Sequence, residues 1–454
     1  MPAQLREALS DAIGSKPISI ALKESMVEDD FFSLDDLIPG VQKAAERNLK
    51  RLLTEVEELI SENKWEDVAA LFYPIEEKQP ELVEHGLDIR LRARVAFALG
   101  QLKRFDDAIR ELSLCVEKEP DVFLHHSSLA FTAYNSLFAA NNREIFLRGR
   151  ARAERIELAH RHFRKAQELR SDGVTNFYRQ GMLYRKIERK TDKAIPLFVR
   201  AISNWDRLDQ KEKEARHQER KNLVKALFQS AGCLLEMDMP GKALETIKRC
   251  LAEDEKSHHL TLIFKYFALG KVYFHLNRFQ EAKDALLFAL QSSAGENDDF
   301  VLELLARTYL TLRNPEKALE ILQKVPESRR RPYVRWTEAD VLCALKRVDQ
   351  AKAVLMRAQE RDSRSRHKTL MRLTKIAYST GSFVEAGKFA AAANRFFQEN
   401  WGNPFFEGLF WQAVCAYRLG NTEKAKELSM ELKAQSPHYP KLDLLMGKIE
   451  ADGS

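Results

Sequence analysis

Apolar residues recur along this chain with the period of amphipathic helices, and one helical design appears more than once. Residues 278–291 read RFQEAKDALLFALQ, and residues 104–117 read RFDDAIRELSLCVE. Both segments open with Arg-Phe, two polar residues and Ala, and then place apolar residues three and four positions apart. The same design at two distant places predicts a repeat architecture.

The opening of this design, aligned on its Ala, recurs ten times, with Val in place of Ala in the first copy. We call the aligned positions the anchor residues, and they are Val68, Ala108, Ala159, Ala194, Ala243, Ala282, Ala318, Ala351, Ala386 and Ala425. A second amphipathic helix precedes most copies, and its own small residue usually stands 12 positions ahead of the next anchor. These companion residues are Ala96, Gly181, Ala231, Gly270, Ala306, Ala339 and Ala413.

These residues resemble the tetratricopeptide repeat family over roughly residues 44–437, in about nine repeats. The family's unit of about 34 residues holds two antiparallel helices that cross at small residues, and a Pro commonly ends it. Pro80, Pro120 and Pro437 each follow an anchor residue by 12 positions. The resemblance implies an all-α fold, a right-handed superhelical α-solenoid of stacked antiparallel helix pairs.

Two intervals between anchor residues are longer than one unit needs. The extra residues lie at about 141–157 and 203–222, contain no Pro, and are rich in Arg, Lys, Glu and Gln. These residue types favour helix, so we expect lengthened helices rather than loops. We call the two segments the basic helix extensions.

The two ends of the chain differ from the array. Residues 1–43 lack the repeat, and we predict an acidic, partly disordered N-terminal arm. Within it, residues 24–36 read ESMVEDDFFSLDD, with six acidic residues and no basic one, a composition typical of segments that fold on binding. Residues 438–454 predict a C-terminal capping helix whose apolar face, Leu442, Leu445, Met446 and Ile449, covers the last repeat.

Charge is distributed unevenly over the 454 residues. The net charge is +6, whereas residues 143–221 contain 22 Lys and Arg against 12 Asp and Glu, a local balance of +10. One interpretation is a solvated face of paired charges. The other is an anionic partner, which could be an acidic peptide, a phosphorylated protein or nucleic acid. A second cluster, SRRRPYVR at 328–335, has the same two interpretations.

The sequence contains no motif that indicates an enzyme, a cofactor or a metal. The segment PGKAL at 240–244 has the Gly-Lys of a phosphate-binding loop, but it lacks the second Gly and the Ser or Thr. Three histidine pairs, His125/His126, His160/His162 and His258/His259, have spacings that point the rings away from each other on a helix. The five cysteines are scattered, so we expect reduced, buried thiols.

We predict no membrane partner and a cytoplasmic location. The N-terminus carries no apolar leader of the secretory type. Residues 122–142 have no formal charge, but His, Ser, Thr and Asn interrupt the run. A buried helix of a soluble protein therefore explains this segment better than a membrane span.

The resemblance implies that partners bind in a groove lined by the first helix of each repeat. Mapping the family's groove positions onto this chain gives the candidate partner-binding residues Arg90, Tyr178, Arg179, Arg185, Lys186, Phe228, Lys271, His275, Arg307, Trp336 and Asp340. Cations and aromatic rings together suit an acidic, partly apolar ligand. The family's clamp for a C-terminal carboxylate uses Lys and Asn, but the repeat compared with it has Ala93 and Phe97, so we predict no such clamp.

We therefore predict a non-enzymatic adaptor or scaffold that binds an acidic or partly apolar peptide or protein partner in the superhelical groove. An alternative is a nucleic-acid-associated or regulatory protein that uses the basic face of residues 143–221. A third is a subunit whose array serves as an oligomerisation surface. The acidic N-terminal arm adds a further expectation, because it could dock on the basic region of its own chain or of a neighbouring subunit.

Overall fold

The computed structural model describes residues 40–293 and 298–452, and all regular secondary structure in these two ranges is helical. The fold is therefore all-α, as predicted. The chain divides between Ala268 and Leu269 into two compact units, which we call unit 1 and unit 2. The predicted arm lies outside the described residues up to residue 39, and residues 40–43 belong to the first helix.

Unit 1 contains the helices α1 Gly40–Ser61, α2 Trp65–Phe72, α3 Ile75–Lys78, α4 Pro80–Glu84, α5 Ile89–Gln101, α6 Phe105–Lys118, α7 Phe123–Asn141, α8 Gly149–Leu169, α9 Thr175–Met182, α10 Thr191–Arg207, α11 Gln210–Ala215, α12 His217–Glu236 and α13 Pro240–Glu253. The α9 helix continues as a π-helical stretch, Leu183–Glu188. The division between the units falls within α14, Leu262–His275.

Unit 2 continues with the helices α15 Phe279–Gln291, α16 Asp299–Thr311, α17 Pro315–Gln323, α18 Pro332–Ala344, α19 Val348–Arg361, α20 Arg366–Ser379, α21 Phe383–Trp401, α22 Phe406–Arg418, α23 Thr422–Gln435 and α24 Leu442–Asp452. A single 3-10 turn, Glu327–Arg329, precedes α18. Consecutive helices pack against each other as pairs, for example α16 with α17 and α22 with α23.

The anchor residues lie where the two helices of a pair cross, and each of the ten has 0% exposure. The first helix contributes a residue that is just as small. A Cβ atom built on Gly181 would lie 2.5 Å from the Phe198 ring, and one built on Gly270 would lie 2.7 Å from Leu286 Cγ. Such close approach leaves no room for a larger side chain, so small residues set the spacing of the pair.

The turn inside each pair is a second repeated feature, and the sequence pattern did not predict it. In nine pairs the residue five positions before the anchor has positive φ; these residues are Asn63, Lys103, Arg189, Asp238, Asn277, Arg313, Lys346, Gly381 and Gly420. The next backbone N–H closes the turn, as when Arg104 N donates to Leu99 O at 2.9 Å. This bond satisfies a carbonyl at the end of the first helix, as in a Schellman motif.

The two basic helix extensions differ in structure. In the first, residues 142–148 are not helical, and the remainder lengthens α8 at its N-terminal end. Positive φ angles at Arg143 and Gly149 bracket the non-helical segment, so half of this extension departs from the expected helix. In the second, residues 203–222 are helical except for 208–209 and 216. There Asp209 starts α11 with a capping box to Glu212.

The end of the array is covered by α24. Its Leu442, Leu445 and Ile449 are buried, and Leu445 and Ile449 join a core cluster with Leu409 and Ala425 of the last helix pair. This packing removes apolar surface of that pair from water, which is the role expected of a terminal helix in a repeat array. The last two residues of the chain lie outside the described residues.

Replacing a buried anchor should lower stability, whereas the same change on the exposed side of the same helix should not. In α13, Ala243 is fully buried and Ala252 is exposed. We expect Ala243→Leu to lower the free energy of unfolding by about 1–3 kcal/mol, because the added atoms must separate α12 from α13. Urea denaturation checks this, with Ala252→Leu as the control. Equal unfolding midpoints for the two variants would contradict the crossing-point account.

Candidate functional site

Three first helices of unit 1, α7, α9 and α12, are held in register by polar side chains. Ser127 Oγ donates a hydrogen bond to Asn176 Oδ1 at 2.7 Å, which joins α7 to α9. Asn222 Nδ2 donates to Thr175 Oγ1 at 2.9 Å, which joins α12 to α9. These bonds fix which side chains of the three helices meet one helical turn further along.

Arg179 lies one turn beyond these bonds, on α9. Its guanidinium carbon is 3.7 Å from the ring centroid of Phe131 on α7, a cation–π contact. Among the described residues, this guanidinium makes no hydrogen bond and no ion pair. The carboxylate that acts on it, Glu219, already accepts from Val174 N at 3.0 Å and pairs with Arg170 at 3.4 Å. Burial lowers the pKa of Arg179 to about 10.

Two lysines of α12 join Arg179, and we call Arg179, Lys221 and Lys225 the cation cluster. Lys225 is 7% exposed, and burial, followed by the charges of Lys221 and Arg179, lowers its pKa to about 7. Burial also lowers the pKa of Lys221. Lys186 lies in the π-helical stretch that continues α9. Burial, followed by the charge of Arg185, lowers the pKa of Lys186 to about 8. A bound anion would counteract each of these shifts, because it favours the charged forms.

Two other deeply buried cations of unit 1, Arg92 and Lys265, form ion pairs with carboxylates. Arg92, 2% exposed, pairs with Glu76 at 2.7 Å, with Glu111 at 2.5 Å and with Asp88. Lys265, 1% exposed, pairs with Asp254 at 2.8 Å. Burying a charge without a partner is costly. Among the described residues, Arg179 and Lys221 have no such carboxylate.

Two other candidate residues in unit 1, Tyr178 and Arg185, contact neighbouring helices. Tyr178 is 6% exposed and packs near the Phe198 ring, and burial raises its pKa. Arg185 donates to Gln229 O at 2.5 Å and to Glu236 Oε1 at 3.0 Å, so its fork is occupied by α12. Phe228, half-buried on α12, shares a helix with the cluster lysines.

Arg90 is exposed near the start of α5 and is not brought into contact with the cation cluster by any interaction of the described residues. Lys221, Lys225 and Phe131 belong to the site although they were not among the predicted residues. Lys221 and Lys225 stand four positions apart on one helix, a spacing that could have shown a shared face. Their burial beside Arg179 could not be read from that spacing.

The candidate residues of unit 2 lie among opposite charges. Arg307 lies over the Phe274 ring, 5.0 Å from its centroid, and Asp340 approaches Arg372 Nε at 3.5 Å. Burial raises the pKa of Asp340, and the Arg372 charge opposes that shift. Trp336 Nε1 donates to the Thr369 hydroxyl at 2.8 Å.

Lys271 and His275 are exposed on α14. This face of unit 2 is thus lined with both signs of charge. It contrasts with the face of unit 1, where cations predominate.

One of these helix pairs matches a known protein family. A profile of the tetratricopeptide repeat family matches residues 407–439, which span α22 except its first residue, the turn and all of α23. That pair carries the buried anchor Ala425 and the left-handed turn residue Gly420, as the other pairs carry theirs. Residues 407–439 therefore match a tetratricopeptide repeat.

Several solved structures are similar to this chain. Yeast Tom70 is 13% identical and has a TM-score of 0.47, with 90% of this chain and 89% of that chain covered. The human IFIT1 dimer with PPP-AAAA is 16% identical, with a TM-score of 0.42 and 87% of each chain covered. YrrB, described as a TPR protein with an unusual peptide-binding site, is 17% identical, with a TM-score of 0.34 and 52% and 96% covered. No curated protein matches the chain.

Many basic residues outside the cation cluster are neutralised by the repeats themselves. In the 143–221 region, Arg150 pairs with Glu154 at 2.7 Å, and Arg220 pairs with Glu253 at 3.3 Å. In the 328–335 cluster three arginines form ion pairs, the shortest for each being Arg329–Asp299 at 3.0 Å, Arg330–Glu338 at 2.8 Å and Arg335–Glu327 at 3.0 Å. Much of the positive charge counted in the sequence therefore belongs to ion pairs on the surface of the helices.

Histidines from two of the sequence pairs, His125/His126 and His160/His162, join neighbouring helices. His126 Nε2 donates to Pro120 O at 2.8 Å, so its Nδ1 accepts from His162 Nδ1 at 2.8 Å. His160 Nε2 lies 2.6 Å from Glu188. In the described part of the chain, no group of three or more His, Cys, Asp or Glu could hold a metal ion. None of the helices there is long and apolar enough to cross a membrane.

Removing a charge from the cation cluster should stabilise the protein. The unfolded chain keeps the Lys225 proton up to the ordinary pKa of 10.5, whereas the folded chain loses it near 7, so the unfolded state binds more protons between these values. We expect Lys225→Met to raise the free energy of unfolding near neutral pH. The gain should shrink by up to about 1.4 kcal/mol per pH unit as the pH rises through this window.

Urea denaturation at a series of pH values measures this difference. Lys248→Met, which removes an exposed charge from the neighbouring helix α13, is the matched control and should leave stability nearly unchanged. A Lys225→Met protein that is less stable than the wild type near neutral pH would show that the lysine is well paired in the folded state.

Proposed function

We propose that this protein is a non-enzymatic adaptor or scaffold that binds an acidic, partly apolar segment of a protein partner. The binding surface is the face of unit 1 formed by α7, α9 and α12. The observation that carries the proposal is the cation cluster, in which Arg179 and Lys221 have no carboxylate partner among the described residues.

The chemistry of this face matches carboxylates set among apolar side chains. The Arg179 guanidinium is a planar fork that can bind one carboxylate through two hydrogen bonds, and its contact with Phe131 already limits its motion. Lys221 and Lys225 supply further charge-assisted donors. Phe131 and Phe228 are half-buried, so their remaining surface is available to apolar groups of the ligand.

The unit 2 residues Lys271, His275, Arg307, Trp336 and Asp340 remain a prediction for a second contact surface. Because Asp340 approaches Arg372 there, that surface would suit a ligand of mixed charge.

A second candidate function is nucleic-acid binding through the non-helical segment 142–148. Phe146 is 81% exposed there, and the Arg148 guanidinium lies 5.0 Å from its ring centroid. An exposed aromatic ring beside a cation can stack on a base while the cation meets a phosphate.

Fluorescence anisotropy with a labelled peptide rich in Asp, Glu and Phe tests the first proposal. We expect Arg179→Gln and Lys225→Met each to weaken binding roughly tenfold or more, because each removes a charge-assisted hydrogen bond. Lys248→Met should bind like the wild type. A peptide in which Lys replaces the acidic residues is the ligand control. Unchanged affinity in both cluster variants would overturn the proposal.

Salt dependence separates the two candidates. Binding of a single-stranded oligonucleotide through about six phosphates should weaken by roughly a thousandfold between about 50 and 200 mM salt, and Phe146→Ala should reduce it. The acidic peptide should show a much weaker salt dependence, because apolar contacts contribute to its binding. Tight oligonucleotide binding that depends on Phe146, together with no peptide binding, would favour the second candidate.

A further inference from the structure

We infer that the acidic segment at residues 24–36 of this chain occupies the cation cluster of its own unit 1 and competes there with the partner. This inference rests on the proposed function, because it names a regulator of the same surface. The segment lies outside the described residues.

Charge complementarity is the first reason. Residues 24–36 contain six acidic residues and no basic one. The face of unit 1 presents Arg179, Lys221 and Lys225, of which Arg179 and Lys221 have no carboxylate partner among the described residues. In the other basic cluster, residues 328–335, Arg329, Arg330 and Arg335 are already paired with acids. An acidic segment therefore gains most at the cation cluster.

The second reason is the apolar content of the segment. Its acids alternate with Met26, Val27, Phe31, Phe32 and Leu34.

The surface offers matching groups, because Phe131, which contacts Arg179, and Phe228, three positions after Lys225 on α12, are both half-buried. A segment with charge alone would leave these rings exposed to water. A segment that carries both acids and aromatic residues can cover them.

The third reason is reach. The described chain begins at Gly40, the start of α1, and α1 belongs to the same unit as α9 and α12. From α1 the first helices α5, α7 and α9 follow, so about three helix spacings, roughly 30 Å in total, separate α1 from Arg179. An extended chain covers about 3.4 Å per residue, which places residues 24–36 within roughly 14–54 Å of Gly40.

A tethered segment has a high effective concentration at its own surface, commonly in the millimolar range. Even weak contacts would then keep the cation cluster occupied in the free protein. A partner would have to displace the segment, so the affinity measured for an acidic ligand would be lower than the surface alone allows.

The test uses full-length protein and two variants. One is an arm variant, Glu28→Gln with Asp29→Asn and Asp30→Asn, and the other is the face variant Arg179→Gln. Limited labelling with an amine-reactive reagent, followed by mass spectrometry, measures the reactivity of Lys221, with the exposed Lys248 as the internal control. We expect Lys221 to react several-fold faster in both variants than in the wild type, and Lys248 to react equally in all three. Equal Lys221 labelling in the wild type and the arm variant would overturn the inference.

Anisotropy with the unrelated acidic peptide described above gives the second readout. We expect the arm variant to bind this probe about tenfold or more tightly than the wild type, because the competitor has been removed. Equal, measurable binding by both would overturn the inference and leave the proposed function intact. No binding by either, with Lys221 still protected in the wild type, would support the arm contact and contradict the proposed function.

Dilution distinguishes the origin of the segment. Protection of Lys221 should not change when the wild-type protein is diluted, because the contact is within one chain. Protection that disappears on dilution would mean that a second copy donates the segment, and it would overturn the intramolecular contact proposed here.

Discussion

The close crossing of two helices at a side chain no larger than Val is the constraint on which this fold depends. Each of the ten anchor residues is fully buried, and at Gly181 even a methyl group would collide with the Phe198 ring. Once the crossing is fixed, the second helix covers one side of the first. The opposite side of the first helix remains available, and in unit 1 that side carries the cation cluster.

Two groups of cations in unit 1 differ in their electrostatic surroundings. Arg92 and Lys265 are almost fully buried, and each has at least one carboxylate at hydrogen-bonding distance. Arg179 instead stacks on a neutral ring, and the pKa values of its lysine neighbours are lowered by burial. A fold that pairs Arg92 and Lys265 with carboxylates and leaves Arg179 without one gives up stability at one place, as binding sites commonly do.

The architecture could be predicted from the sequence because it depends on short-range rules. Helical periodicity and a small residue at a fixed spacing are both local properties, and they led to the correct fold class. The left-handed turns were not predicted, since Lys103, Arg189 and Lys346 occupy a conformation that usually favours Gly or Asn. The non-helical residues 142–148 were also missed. Their composition favours helix, but positive φ angles at Arg143 and Gly149 interrupt the helical backbone.

The site was less predictable, because pairing and burial depend on residues distant in the sequence. Arg185 and Arg179 look equivalent in the repeat pattern. The first binds Gln229 and Glu236, which lie more than 40 positions away, and the second binds no carboxylate among the described residues. Lys225 gains its low pKa from burial and from Arg179 on another helix. No spacing rule along one helix reports such effects.

Proton uptake on ligand binding is the most direct test of the claim that the cation cluster receives an acidic ligand. Calorimetry near pH 8, in buffers that differ in ionisation enthalpy, measures the protons taken up when the acidic peptide binds. In the protein without ligand, Lys225 has a pKa of about 7 and is mainly neutral at this pH. A bound carboxylate raises that pKa. If the cation cluster receives the ligand, the wild type should take up protons on binding, and Lys225→Met should take up far fewer. Binding with no uptake in the wild type would contradict this claim.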